Sequence, residues 1–251
     1  MKKVLGSILL FYTVQSVAAE GTGAPQNDNQ LTADFIEQQV QQNMSLGRAI
    51  KSIMGHYPQE VDVVVGTALD LYPAKYKEII HAAIAAQPAL TEDVVRIAID
   101  KGIASCGNIV LTAIQAEPSY VDFVVSAAAQ STPEELNEIV RIAVVTEPDS
   151  ADAIVSTVAK AHPSKLVDII SSAIGAVPFV GEYIVDALLV AFPNDAEEVV
   201  TTAVRESSAQ RSQVIKIIET ARNAGISDKA LTRYATEGGA SAEEIAQVIH
   251  D

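Results

Sequence analysis

Along residues 59–208 the apolar side chains keep to a 15-residue frame, at positions 3, 6, 7, 10, 11 and 14, with polar or small residues between them. Proline sets the frame. Taken as position 15, it recurs at Pro58, Pro73, Pro88, Pro118, Pro133, Pro148, Pro163, Pro178 and Pro193, and Ile103 fills the one gap. Positions 6 and 7 form a β-branched pair in unit after unit, among them Val64-Val65, Ile79-Ile80, Val94-Val95, Ile154-Val155 and Ile169-Ile170, and position 10 is usually alanine. Spacings of three and four residues describe one stripe of a helix. A strand would require alternation, which fails at Ile154, Val155 and Val158, with Ser156 and Thr157 between. Proline suits a helix start, where its missing N–H removes no bond, and would damage a central strand.

The pattern therefore predicts an all-α fold, an α-solenoid of short single-helix 15-residue repeats. Each helix has about 12 residues, roughly 18 Å at 1.5 Å per residue. Helices that short are marginal alone in water and must lean on their neighbours. The array is expected over 59–223, with capping helices at 31–58 and 224–251. Ser227-Asp228 and Ser241 followed by Glu244 read as N-caps of two closing helices, and Gly238-Gly239 as a helix stop.

How many helices make one turn is less direct. Position 9 carries threonine every 45 residues, at Thr67, Thr112, Thr157 and Thr202, and Val94–Ile99 is echoed by Ile139–Val144. Both favour three helices, or 45 residues, per superhelical turn. A competing cue favours two: position 3 is bulkier at Tyr76, Cys106, Leu136 and Leu166 than at Thr91, Ala151 and Gly181. The 45-residue unit is the expectation adopted. A three-helix unit of that length resembles armadillo and HEAT arrays in size and general geometry. The chain carries none of their signature residues, so the resemblance implies an architecture and no functional site.

The N-terminus adds an address. Met1-Lys2-Lys3, an apolar run from Val4 to Val14, and Ser16-Val17-Ala18-Ala19 have the layout of a signal peptide cleaved after Ala19. The run is too short to span a bilayer comfortably. Residues 20–30 are polar, with glycine and proline, and read as a disordered leader. Export to the periplasm or beyond the cell follows from that layout. Cys106 is the single cysteine, so no intramolecular disulfide forms.

Charge then narrows the partners. The net charge of −15 becomes −17 once Lys2 and Lys3 leave, which disfavours nucleic acid and anionic membrane surfaces. Sixteen of the 22 carboxylates within 59–208 lie at positions 1–5, the first turns that favour negative charge, so helix-start design accounts for most of them. An acidic ridge for a basic partner, or for weak calcium binding, is the functional counterpart, although no segment has the spacing of a calcium loop. His56, His81, His162 and His250 occupy different repeat phases and predict no zinc site. Cys106, at a core position, reads as a packed thiol. With no phosphate loop and no nucleophile elbow, neither a cofactor nor a catalytic residue is assigned.

Aromatics are few, with five Phe, seven Tyr and no Trp, yet they gather at Phe179, Tyr183 and Phe192 and again at Tyr120 and Phe123. Aromatic and arginine side chains are enriched at interface hot spots. Tyr120, Phe123, Phe179 and Tyr183 are thus candidate partner-binding residues. Arg96 and Arg141 join them, 45 residues apart at position 8 with Asp186 next in series, as a ladder along one face. The functional expectation is a non-catalytic scaffold that binds another protein along the solenoid's concave face. The alternative is a self-assembling surface or matrix protein.

Overall fold

The computed structural model describes residues 28–43 and 45–250. The expected signal peptide (1–19) and residues 20–27 of the leader lie outside the described residues. Within them the chain forms α1 (Asp28–Asn43), α2 (Leu46–His56), α3 (Val61–Leu71), α4 (Tyr76–Ala86) and α5 (Thr91–Asp100). There follow α6 (Cys106–Ala116), α7 (Val121–Ser131), α8 (Leu136–Thr146), α9 (Ala151–Ala161) and α10 (Leu166–Ala176). The last five are α11 (Gly181–Ala191), α12 (Ala196–Glu206), α13 (Arg211–Asn223), α14 (Asp228–Gly238) and α15 (Ala242–His250). Residues 28–30, expected in the leader, instead form the first turn of α1.

Each regular repeat is an 11-residue helix from position 3 to position 13, then one extended residue, then a one-turn 3-10 helix that begins at the proline. The link satisfies its own backbone. Tyr72 N–H donates to the Ala68 carbonyl at 2.9 Å, and Lys75 N–H donates to the Tyr72 carbonyl at 2.8 Å. The proline between them has no N–H to leave unpaired, which is why the sequence tolerates it in each of the nine links that carry it. Where Ile103 replaces proline the link changes. α5 stops at Asp100, Gly102 takes a left-handed φ of 61°, and the Ser105 hydroxyl accepts the Asn108 N–H to start α6.

The side chains at positions 6, 7, 10 and 11 fill the core from Val64 to Val204, with Ile99 alone half-buried. Positions 6, 7, 10 and 11 of the stripe read from sequence are therefore buried, whereas position 14, expected in it, is the half-buried link residue after each regular repeat helix, as at Tyr72, Glu117, Thr132 and His162.

Its partners are other than expected. Each helix packs most heavily on the helix two places along, α2 on α4, α5 on α7, α9 on α11 and α12 on α14, and more lightly on its immediate neighbour. The solenoid turn therefore contains two helices, or 30 residues, and the expectation of three is corrected. Odd-numbered helices form one stack and even-numbered helices the other. Hydrogen bonds between turns carry the same period: Glu78 Oε1 accepts the Gly47 N–H at 2.8 Å, and Lys101 reaches Asp70 at 2.5 Å, each 31 residues apart. One joins the starts of two helices and the other joins their ends, so stacked helices run parallel. The size alternation at position 3 was the better cue: even helices α4, α6, α8 and α10 open with Tyr76, Cys106, Leu136 and Leu166, whereas odd helices α5, α9 and α11 open with Thr91, Ala151 and Gly181. At Gly181 a Cβ would come within 3.0 Å of Ile217, so that opening has little room for anything larger.

The terminal helices continue both stacks. α1 packs on α3, α14 on α12 and α15 on α13. Ser227 caps α14, Gly239 ends it at φ 95°, and Ser241 and Glu244 exchange N–H bonds as a capping box at the start of α15. The helix N-caps at Ser227 and Ser241 and the stop at Gly239 are those read from sequence.

Candidate protein-binding face

Two stacks give the solenoid two different faces. On the odd stack, position 4 carries Asp62, Glu92, Asp122, Asp152 and Glu182, one carboxylate per turn. On the even stack the same position holds Lys77, Gly107, Asn137, Val167 and Glu197. The even stack carries its carboxylates one position later, at Glu78, Glu138, Asp168 and Glu198, so helix-start preference acts on both stacks and only the register of the acid differs. At 8–10 Å between packed helices, the five carboxylates span about 32–40 Å.

Part of the column is neutralised from position 8 of the next odd helix, 34 residues on. Arg96 reaches Asp62 at 2.9 Å, Lys216 reaches Glu182 at 2.7 Å, and the Ser126 hydroxyl donates to Glu92 at 3.4 Å. The same offset aligns Asp122 with Ser156 and Asp152 with Asp186, two carboxylates. Among the described residues neither Asp152 nor Asp186 enters an ion pair. Negative charge is thus uncompensated at the middle of the odd face.

The candidate aromatics lie on this face. Tyr120 and Phe123 precede and open α7, with their rings 5.4 Å apart, and Phe179 and Tyr183 do the same at α11. Phe123 is 45% exposed, Phe179 66% and Tyr183 61%, so these rings cover little of the core. α7 and α11 are two turns apart, which sets the pairs about 16–20 Å from each other.

The arginine ladder does not form. Arg96 belongs to odd helix α5 and Arg141 to even helix α8, because 45 residues is a turn and a half. Each is held within its own neighbourhood. Arg96 bonds Asp62 and then Asp93, and both bonds raise its pKa further; Arg141 bonds Glu138 on its own helix at 2.6 and 2.7 Å. That pairing holds the Glu138 carboxyl below its ordinary range. Position 4 of α6, where a partner for Arg141 would sit, is Gly107.

Across α9, α11 and α13 the odd stack opens into a hollow of about 600 Å³. Asp149 and Asp152 line it at the start of α9, Phe179, Glu182 and Tyr183 at the start of α11, and Gln213 and Lys216 on α13. Gln213 is buried, with 4% exposure, and its side-chain oxygen has no hydrogen-bond partner. Asp149, Asp152, Glu182, Gln213 and Lys216 were not singled out from the sequence as site residues. Aligning alternate units, at a period of 30, would have exposed the acidic column.

Cys106 is buried and accepts a hydrogen bond from the Thr132 hydroxyl at 3.2 Å. Burial is the largest influence on its thiol and pushes the pKa up, against the Thr132 bond. Among the described residues no group of three potential metal ligands comes together, and no helix is long and apolar enough to cross a membrane. Comparisons with protein families, with curated proteins and with solved structures find no match.

Proposed function

We propose that this chain is an exported, non-catalytic helical-repeat scaffold that binds a basic segment of another protein along its odd-helix face. One observation carries the reading: the exposed aromatics Phe123, Phe179 and Tyr183 stand beside unpaired carboxylates on that face, whereas the even stack has unpaired carboxylates, such as Glu134, Glu135 and Glu198, without exposed aromatics. Aromatic rings supply contact area at small conformational cost, and the acidic column supplies long-range attraction and orientation. A repeat stack offers a long surface on which such groups recur at fixed spacing.

Site-specific photocrosslinking tests the proposal. A photoreactive phenylalanine replaces Phe123 or Tyr183 on the odd face, and Asn137 or Val167 on the even face, in the producing cell. The expected result is one discrete adduct from the odd-face positions alone, weakened in a graded way when Asp122 or Asp152 becomes Asn. Adducts of equal strength from both faces, or none, would overturn the choice of face. An adduct with a second copy of the chain, with mass growing in light scattering as concentration rises, would establish self-assembly instead. Mass spectrometry of the exported protein tests the address: the expected N-terminus is Glu20.

A further inference from the structure

We infer that α15 is a strap that opens as one unit from the end of the solenoid, clamped shut by two arginines of α13. The inference is independent of the function proposed above. α15 is the last helix of the odd stack, and little apolar surface holds it there. A regular repeat helix buries its side chains at positions 6, 7, 10 and 11. Among the described residues of α15 the buried apolar side chains are Ile245 and Val248, with Ala246 and Ile249 half-buried. Its seam with α14 is open, a hollow of about 400 Å³ lined by Thr232 and Thr236 of α14 and by Ala242, Ile245 and Ile249 of α15. The chain enters α15 through Gly239, whose φ of 95° ends α14, without the 3-10 turn that ties one regular repeat to the next.

Charge supplies what apolar contact lacks. Arg211 is the first residue of α13 and Arg222 the last but one, about 16 Å apart along the helix. Arg211 bonds Glu244 at the start of α15, a carboxylate that is buried and also accepts the Ser241 N–H at 2.7 Å. At the other end Arg222 donates to the carbonyls of Val248 and Ile249, acceptors that a helix end leaves without partners. The Arg222 Nε also lies 3.7 Å from Asp228, at the start of α14. α15 is thus gripped at both ends by its stack partner and seated in the middle by two side chains. A helix with so few buried contacts opens in a step of its own, of lower free energy than global unfolding. That step uncovers α13, the end of the odd stack, while the repeats before it stay folded.

Hydrogen exchange followed by NMR on the full chain at pH 7 reads this opening residue by residue. The hydrogen-bonded amides of α15 are expected to share one protection factor, well below that of α12. Arg211→Gln and Arg222→Gln should each lower it by roughly tenfold, the scale of a lost charge-assisted bond, and leave α3 to α12 unchanged. The lysine variants separate the two contacts. Arg211→Lys should recover part of the loss, because its partner is a carboxylate; Arg222→Lys should recover little, because a guanidinium fork reaches two carbonyls and a compact ammonium does not. Salt at 1 M should lower the shared protection factor by about two- to fivefold through the Arg211–Glu244 pair. Melting curves confirm that each variant is folded.

Three results would overturn the inference. Protection that declines gradually toward residue 250, unmoved by either arginine, would mean an ordinary frayed terminus. Protection in α15 equal to that in α12 would mean that no separate opening exists. An equal loss in α12 when either arginine is replaced would mean that the arginines support the whole array and latch nothing.

Discussion

Reversing one charge in the odd stack separates the two-helix turn from the three-helix turn by the sign of its effect. Asp186 is exposed on α11 and, by the 34-residue offset that joins Arg96 to Asp62 and Lys216 to Glu182, aligns with Asp152. Asp186→Lys therefore replaces a like-charge pair with an ion pair of the kind already present on either side of it. The two existing pairs are 2.9 and 2.7 Å long, and their cations are 43% and 47% exposed, so they are surface pairs. Such pairs contribute about 0.2–1 kcal/mol. Removing the repulsion adds an amount of similar size. In a chain of this length each kcal/mol shifts Tm by about 2–4 °C, so the gain is a few degrees at most. Lysine also favours a helix interior over aspartate by a few tenths of a kcal/mol. The coupling must therefore be isolated in a double-mutant cycle that combines Asp186→Lys with Asp152→Asn. Thermal unfolding followed by circular dichroism at low salt should give a favourable coupling of about 0.2–1 kcal/mol between the introduced ammonium and Asp152, and 1 M salt should abolish it. Were three helices to make a turn, Asp186 would face Arg141 and the reversal would destabilise. No coupling to Asp152, or coupling to Arg141, refutes the register.

Three further outcomes follow from the packing and the titrating groups. Gly238→Ala places a Cβ 2.7 Å from Val204 and 2.8 Å from the Thr201 carbonyl, so α14 must move away from α12; a loss of about 1–3 kcal/mol is expected, read as early unfolding of the C-terminal turn in hydrogen exchange. Cys106, buried and with a raised pKa, should resist iodoacetamide at pH 8 in the folded protein and react promptly in denaturant; fast labelling of the folded chain would contradict its packing. Burial pushes the Glu244 carboxyl up, but the Ser241 N–H and hydroxyl and the Arg211 guanidinium together hold it below its ordinary 4.5. Its folded pKa is thus depressed, so its stabilisation is complete above the ordinary value and is lost as pH falls through the lower one. The protection factors of α15 amides, which remove the pH dependence of intrinsic exchange, should fall as pH drops below the ordinary carboxylate value, and less so in Glu244→Gln.

The legible part of the molecule was the part set by neighbours in sequence. A β-branched pair and an alanine three and four residues on make a stripe on any helix, and a residue without an N–H fits a link that needs none. The caps at Ser227, Ser241 and Gly239 are local in the same sense. Tyr120, Phe123, Phe179 and Tyr183 could be noticed because large side chains outside the buried stripe have nothing nearby to cover them. Asp149, Asp152 and Gln213 could not, because carboxylates at helix starts are ordinary and a glutamine's missing partner shows only when its surroundings are fixed.

By itself the sequence determined the helix, its length, its buried stripe and its punctuation, since bonds within about five residues decide each of these. Only the tertiary structure decided that two helices close a turn. Near-identical units carry almost the same stripe, so every count of helices per turn buries similar apolar area. The choice falls to how side chains interlock between helices 30 residues apart: a glycine at Gly181 under Ile217, Arg96 over Asp62. Once that count is two, Arg96 and Arg141 part to opposite faces, and alternate carboxylates line up beside Phe123 and Tyr183.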